Sequence, residues 1–174
     1  MSRQPWASKS TLRTAEQVTG FECGRDSVDQ WLHDKAVQAR PHVLTTLYLD
    51  ADGEVMAFAA TTMMILAVEG GTSAQRAGSR DGQSVGFLLA QMGVRKDLSG
   101  RGIGKAVVRG VMMAASRAGK EAPFPLFVVD AADESLISYY EALGLRRLKN
   151  QLRLATPMRQ ITRIIDSTSP QAAS

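Results

Sequence analysis

Three glycines stand at alternate positions, Gly100, Gly102 and Gly104, in the stretch DLSGRGIGKAVVRGVMMAA, directly ahead of a helix-like run. Alternating glycine lets a backbone come close to a ligand, because no side chain stands in the way. Successive N–H groups in such a turn converge on an anion, helped by the positive end of the following helix. Arg101 and Lys105 flank that position. A simple flexible strand-to-helix loop is the alternative. Spacing excludes two nucleotide motifs. A Walker A loop needs its first glycine where Ser99 stands and a hydroxyl where Ala106 stands. A dinucleotide fingerprint needs its last glycine where Lys105 stands.

The elements that must position this turn follow from hydrophobic period. VGFLLAQMGV, just before it, reads as a buried strand. After it, Ile103, Val107, Val111 and Ala115 recur at i+4 and predict a helix ending near Gly119. Upstream, DSVDQWLHDKAVQA predicts a helix with Ser27 and Gln30 as a capping box. TTLYL and VMAFAATTMMILAV, separated by DADGE, predict a β-hairpin. EGGTSAQRAGSRDGQS has no apolar period and reads as a long exposed loop carrying Arg76 and Arg80. Downstream, FPLFVVDA predicts a strand and DESLISYYEALG a short helix stopped at Gly144. LRRLKNQLRLATPM holds one or two final strands. The order predicts an α/β fold, a mixed sheet with helices on its faces. Residues 11–165 read as a single domain. Residues 1–10 and the tail 166–174 are polar and small and read as flexible.

The chain has 174 residues and a net charge of +4, with a pI near 9.5. The excess is local: six basic and no acidic residues lie between Arg146 and Arg163, and seven basic against Asp97 alone in 95–120. Such asymmetry points to a polyanion, either cofactor phosphates or a nucleic acid, against a solvated surface that only aids solubility. Cys23 is the only cysteine, which excludes an internal disulfide or a multi-cysteine metal site. No run nears the ~18 apolar residues of a membrane span, and the N-terminus lacks a signal-like apolar core. A cytoplasmic protein without membrane attachment or metal is the expectation.

LLAQMGVRKDLSGRGIGKAVV, followed some 25 residues later by SYYEALGL, resembles the GNAT superfamily of acetyl-CoA-dependent N-acyltransferases. The resemblance runs from about Thr45 to Met158. Its turn has the form Arg/Gln-x-x-Gly-x-Gly/Ala, with Gly102 and Gly104 in the glycine places and Ser99 departing from Arg/Gln. It implies a central mixed, twisted sheet whose middle strands splay, with helices on both faces. It implies that Met92 and Val94, flanking Gly93, meet the pantetheine arm of acetyl-CoA through their backbones. Amides of Ser99, Gly100, Arg101, Gly102, Ile103, Gly104 and Lys105 would hold the pyrophosphate. Tyr140, four residues before Gly144, takes the place of the family's general acid toward the departing thiolate, and Tyr139 that of a packing aromatic. A donor there steadies developing negative charge. Glu69, Asp130 and water are open as bases. His33 and His42 have no partner in spacing and read as core or surface residues.

FECGRDSVDQWLHDKAVQA followed by TTLYLDADGEVMAFAATT is similar, at Phe21, Gly24, Val28, Asp29, Trp31, Leu32, Thr45 and Thr46, to the acetyltransferase toxins of bacterial toxin–antitoxin pairs. Trp31 and Leu32 serve equally as the core face of a helix. That resemblance implies acetylation of the α-amino group of aminoacyl-tRNA, a ribbon-helix-helix antitoxin partner and a homodimer. Arg76, Arg80, Arg95, Lys96, Arg146, Arg147 and Lys149 are the candidate tRNA contacts. The glycine- and serine-rich loop before the central strand departs from the toxins' proline-rich approach. An acetyltransferase for a small-molecule or protein amine, and a non-catalytic CoA-binding module, are the competing readings.

Overall fold

The computed structural model describes residues 3–169. In chain order the elements are β1 (Ser8–Thr11), a 3-10 turn (Ala15–Val18), α1 (Asp26–Asp34), β2 (Leu44–Leu49), β3 (Val55–Ala67), α2 (Ser73–Arg76) and β4 (Gln83–Val94). A second 3-10 turn (Lys96–Leu98) leads to α3 (Ile103–Glu121), β5 (Leu126–Asp130), α4 (Glu134–Ala142), β6 (Arg153–Pro157) and α5 (Met158–Thr168). The strands form one mixed six-stranded sheet in the order β1-β2-β3-β4-β5-β6. The pairs β1/β2, β2/β3 and β5/β6 are antiparallel. No helix among the described residues is long and apolar enough to cross a membrane. By contacts the chain divides into two compact units, one of Gln4–Thr62 with Leu89–Val108, the other of Met63–Leu88 with the residues from 109 on.

The first unit closes around Leu12, Val18, Phe21, Val28, Leu32, Ala36, Leu47 and Phe58. Helix α1 supplies Val28 and Leu32, one turn apart on a single face. Its N-terminus differs from the Ser27–Gln30 capping box. The helix starts at Asp26, Arg25 makes no side-chain cap, and the Asp29 carboxylate instead accepts the N–H groups of Cys23 (2.8 Å) and Gly24 (3.3 Å). An ionised carboxylate is the stronger acceptor for those amides. The predicted hairpin is present, with Leu47 opposite Phe58 and Thr45 opposite Ala60. In its turn the Asp50 carboxylate accepts from the amides of Asp52 and Glu54, both at 2.9 Å, and Gly53 takes a φ of +83°.

Residues 1–10 do not all stay free. Ser8–Thr11 pair with Leu49–Thr46, and the Trp6 ring is buried on Tyr48 at 4.5 Å between centroids. One large apolar ring outweighs the polar run around it. Residues 1–2 of that stretch lie outside the described residues.

In the second unit β5 is buried along Leu126–Val129 and pairs with β6, Phe127 opposite Thr156. Gly86 lets β4 approach it: a Cβ there would stand 2.5 Å from Val128 Cγ2. Helix α4 begins where the Asp133 carboxylate accepts the Ser135 N–H at 2.9 Å, and it stops at Gly144, whose φ is +94°. The expected exposed loop contains α2, closed by a Thr72–Gln75 capping box, with Gln75 only 1% exposed. The stretch 145–158 holds one strand, β6, in line with the sequence reading, and the helix that follows it, α5, has no counterpart in that reading. Ile161, Ile164 and Ile165 follow the helical period, but they come straight after β6 with no turn residue between. Helix α5 runs to Thr168, so the expected tail is helical over 166–168, and residues 170–174 lie outside the described residues.

Candidate active site

The first unit holds the glycine turn. Its base is stapled twice. Arg95 N donates to the Met56 carbonyl at 2.8 Å and its Nη1 to the Val55 carbonyl at 3.2 Å. Lys96 N donates to the Glu22 carbonyl at 3.0 Å, and Lys96 Nζ pairs with the Glu22 carboxylate at 2.7 Å. Ser99, Gly100, Arg101 and Gly102 are left exposed beyond the staples. Gly100 and Gly102 have φ of +77° and +78°, the left-handed region that side chains resist. A Cβ at either would meet no protein atom within 4 Å. The Gly102 carbonyl accepts the Ala106 N–H at 3.1 Å, so Gly102 is the residue on which α3 begins. The N–H groups of Ile103, Gly104 and Lys105 therefore precede the first intrahelical acceptor and point out of the helix end.

The seven turn residues do not share one role. Ile103 is buried, its side chain in the core and only its amide at the helix end. Gly104 lies inside α3 without a left-handed φ, and Lys105 and Arg101 are exposed cations. On β4, Met92 and Val94 are half-buried. Gly93 is closed in, since a Cβ there would stand 2.9 Å from Cys23 Cβ and 3.0 Å from Phe58 Cε1. Burial pushes the Cys23 thiol up to about 11.

The second unit carries the tyrosines on α4. Tyr140 is 3% exposed and Tyr139 36%, with ring centroids 5.2 Å apart and nearly perpendicular. Burial also raises Tyr139 from its ordinary value. Asp130 is engaged by Arg153 through two bonds of 2.6 and 3.0 Å, which leaves it an acceptor already used. That pair borders a shallow cleft with Ala131, Gln151 and Leu152. Glu69 sits against Gly82. His33 Nε2 lies 2.8 Å from the Phe21 carbonyl, a bond that needs the proton on that nitrogen and ties α1 down. The His42 carbonyl accepts from Thr62 Oγ1 at 2.6 Å.

The seven basic candidates divide. Arg95 bonds Asp97 at 2.7 Å with Asp50 at 3.8 Å, Lys96 pairs with Glu22, and Arg147 grips Glu134 through both guanidinium nitrogens. Each partner raises its cation's affinity for the proton, and Arg95 holds Asp97 below the usual carboxylate range. Arg76, Arg80, Arg146 and Lys149 are exposed and make no ion pair among the described residues. Sequence reasoning missed Arg159 and Arg163, which stand one turn apart on the exposed side of α5. The isoleucine spacing of that segment was the signal that could have found them.

No family model matches the sequence, and no curated protein matches it. Solved structures do. A tyrosine-to-phenylalanine mutant of KacT superposes with a TM-score of 0.80 at 17% identity, over 90% of this chain and 98% of that one. AtaT complexed with acetyl-methionyl-tRNAfMet gives 0.76 at 15% identity, over 90% and 98%. A tyrosine-to-phenylalanine mutant of the AtaT toxin, bound to the C-terminus of the antitoxin AtaR and acetyl-CoA, gives 0.74 at 16%, over 91% and 97%. The chain therefore has the fold of KacT and of the toxin AtaT across nearly the whole length of both.

Proposed function

We propose that this protein is an acetyl-CoA-dependent N-acetyltransferase and a toxin that acetylates the α-amino group of aminoacyl-tRNA. The observation that carries the acetyl-CoA part is the turn. Two left-handed glycines with open space around them lead into a helix whose first N–H groups have no intrahelical acceptor. A pyrophosphate fits that arrangement. The amides of Ser99 to Lys105 would hold it, Arg101 and Lys105 would add charge, and Met92, Gly93 and Val94 would face the pantetheine arm. Acetyl-CoA, when bound, supplies an activated acetyl thioester.

Tyr140 is the proton donor. Its phenol O–H gives a proton to the departing sulfur, so the leaving group does not depart as a bare thiolate. The amine must be neutral to attack. Both Asp130 oxygens already accept from Arg153, and Glu69 and water stay open as takers of that proton. The tRNA part is supported by the likeness to AtaT, which has been seen with acetyl-methionyl-tRNAfMet, and the antitoxin part by AtaT with AtaR and by the KacTA–DNA complex. A ribbon-helix-helix antitoxin and a cytoplasmic site of action belong to this reading.

The test is acetylation of total charged tRNA by the purified protein with labelled acetyl-CoA, followed by identification of the labelled aminoacyl group. Label on aminoacyl-tRNA, with growth arrest on induction that Tyr140→Phe abolishes, is the expected result. Harmless induction and unlabelled tRNA, with label instead on a small amine or a protein terminus, sinks the toxin reading and leaves an acetyltransferase of another substrate.

A further inference from the structure

We infer that Arg76, Arg146, Arg159 and Arg163 form one phosphate-binding face of the second unit, which takes the sugar-phosphate backbone of the tRNA; this rests on the aminoacyl-tRNA reading above. The first support is the division of the cations. Of the six basic residues in 146–163, Arg147 and Arg153 are spent on Glu134 and Asp130. Arg146, Lys149, Arg159 and Arg163 make no ion pair among the described residues. A guanidinium without an acidic partner keeps its terminal N–H groups for phosphate oxygens.

The second support is that hydrogen bonds tie these residues together. Arg146 Nε lies 3.5 Å from Gln160 Oε1, and Gln160 Nε2 donates to the Gly144 carbonyl at 3.0 Å, which fastens Arg146 to the first turn of α5. Arg163 stands three residues after Gln160 and four after Arg159, so along α5 it neighbours both that junction and Arg159. On the other side Gln75 Nε2 donates to the carbonyls of Arg146 and Arg147, at 3.5 and 3.2 Å, which brings α2 and its last residue, Arg76, alongside.

The third support concerns the kind of partner. A protein helix docks through apolar anchors. The large apolar side chains exposed in this unit are Met63, Ile65, Val85, Met113, Tyr139 and Leu152, none of them on α2, α5 or at Arg146. A face that offers guanidinium groups without an apolar anchor suits a phosphate backbone.

The experiment measures binding of deacylated total tRNA across a salt series, for the full chain and for Arg159→Gln/Arg163→Gln. Both arginines are exposed, and a thermal melt of the double variant checks its fold. We expect affinity to fall about tenfold near 0.1 M salt and the slope of log affinity against log salt to drop by about 1 to 2. Lysine at both positions restores most of the loss, and Lys9→Gln, which removes an exposed cation on β1 in the other unit, changes little. Unchanged tRNA affinity in the double variant overturns the face. So does an equal loss in Lys9→Gln, which marks a diffuse charge effect, or a variant that binds tRNA normally but loses poly-glutamate, which assigns the face to an acidic protein. A wild-type chain that binds tRNA through this face but leaves charged tRNA unacetylated refutes the proposed function alone.

Discussion

Gln75 Nε2 donates to the carbonyl oxygen of Ala155 at 3.0 Å, across eighty residues of sequence, from a side chain that is 1% exposed. The same nitrogen reaches the carbonyls of Arg146 and Arg147, so one amide joins α2 to β6 and to the segment before it. Replacing Gln75 by leucine takes this donor from the buried Ala155 carbonyl and from that of Arg147, while the Arg146 carbonyl keeps the Ala155 N–H, and we expect a loss of about 1–3 kcal/mol. Denaturant unfolding measures it; a stability within error of wild type means water takes the place of the amide.

Tyr140→Phe removes the proposed donor and keeps the ring. Turnover is expected to fall by about 10²–10³ with acetyl-CoA affinity unchanged. Tyr139→Phe, at the more exposed neighbour, is expected to leave turnover within a few-fold. Equal effects of the two substitutions in steady-state kinetics argue that neither hydroxyl is the donor.

Gly100→Ala and Gly102→Ala force a side chain into φ near +78° without any clash, since nothing lies within 4 Å. Each is expected to cost about 1–2 kcal/mol of stability by backbone strain. Gly53→Ala is the matched control, with φ of +83° and equally open space in the β2–β3 turn. All three should unfold alike, but only the first two should weaken acetyl-CoA binding by calorimetry. Equal donor affinity in all three removes the phosphate role from the turn.

Cys23 should resist alkylation. With its thiol pushed up to about 11 from 9.0 by burial, the thiolate fraction near pH 8 is about a hundredfold below that of a free thiol. Iodoacetamide labelling should be slow at pH 8 and accelerate above pH 10. The folded state holds the thiol's proton more tightly than the unfolded chain. This contribution to stability is therefore complete below pH 9 and is lost as the pH rises toward 11. Fast labelling of folded protein at pH 8 contradicts that burial.

Homodimerisation, which the toxin resemblance implies, is proposed to use the sheet face bearing Met63, Ile65 and Val85. Ile65 is 69% exposed, and the alternating outward positions 63, 65, 67, 83, 85 and 87 carry no charge. For a chain of net charge +4, an uncharged patch is where two copies meet without repulsion, related by a two-fold axis. Ile65→Asp should turn a sedimenting dimer into a monomer at micromolar concentration. A wild-type monomer under those conditions refutes it.

Much of this architecture is legible from residue patterns, because the information is local. The β2–β3 hairpin, β4, β5, α1, α3 and α4 each announce themselves by period, though α1 stops at Asp34, short of Ala39, and α3 runs past Gly119 to Glu121. The glycine turn is legible for the same reason, since left-handed φ at Gly100 and Gly102 is a property of single residues. What escapes is what depends on distant partners. β1 is four polar residues that become a strand only against β2. Gln75 looks like any loop glutamine until three carbonyls from 146–155 are supplied. Lys96 and Arg147 look free until Glu22 and Glu134 arrive across 74 and 13 residues. Charge counting sees every cation but not which ones are already spoken for.

The sheet ends in β1 on one side and β6 on the other, and both edges are short. An open edge is a template on which another chain can grow a cross-β stack. Here β1 offers four residues with Lys9 among them, and the outer side of β6 is already occupied, its Ala155 N–H bonded to the Arg146 carbonyl and its Arg153 carbonyl to the Leu148 N–H, each at 2.8 Å. Neither edge is therefore a free template for backbone pairing with a second copy. At high concentration the chain is thereby guarded against fibrous aggregation, and any self-association is left to side-chain faces of limited size.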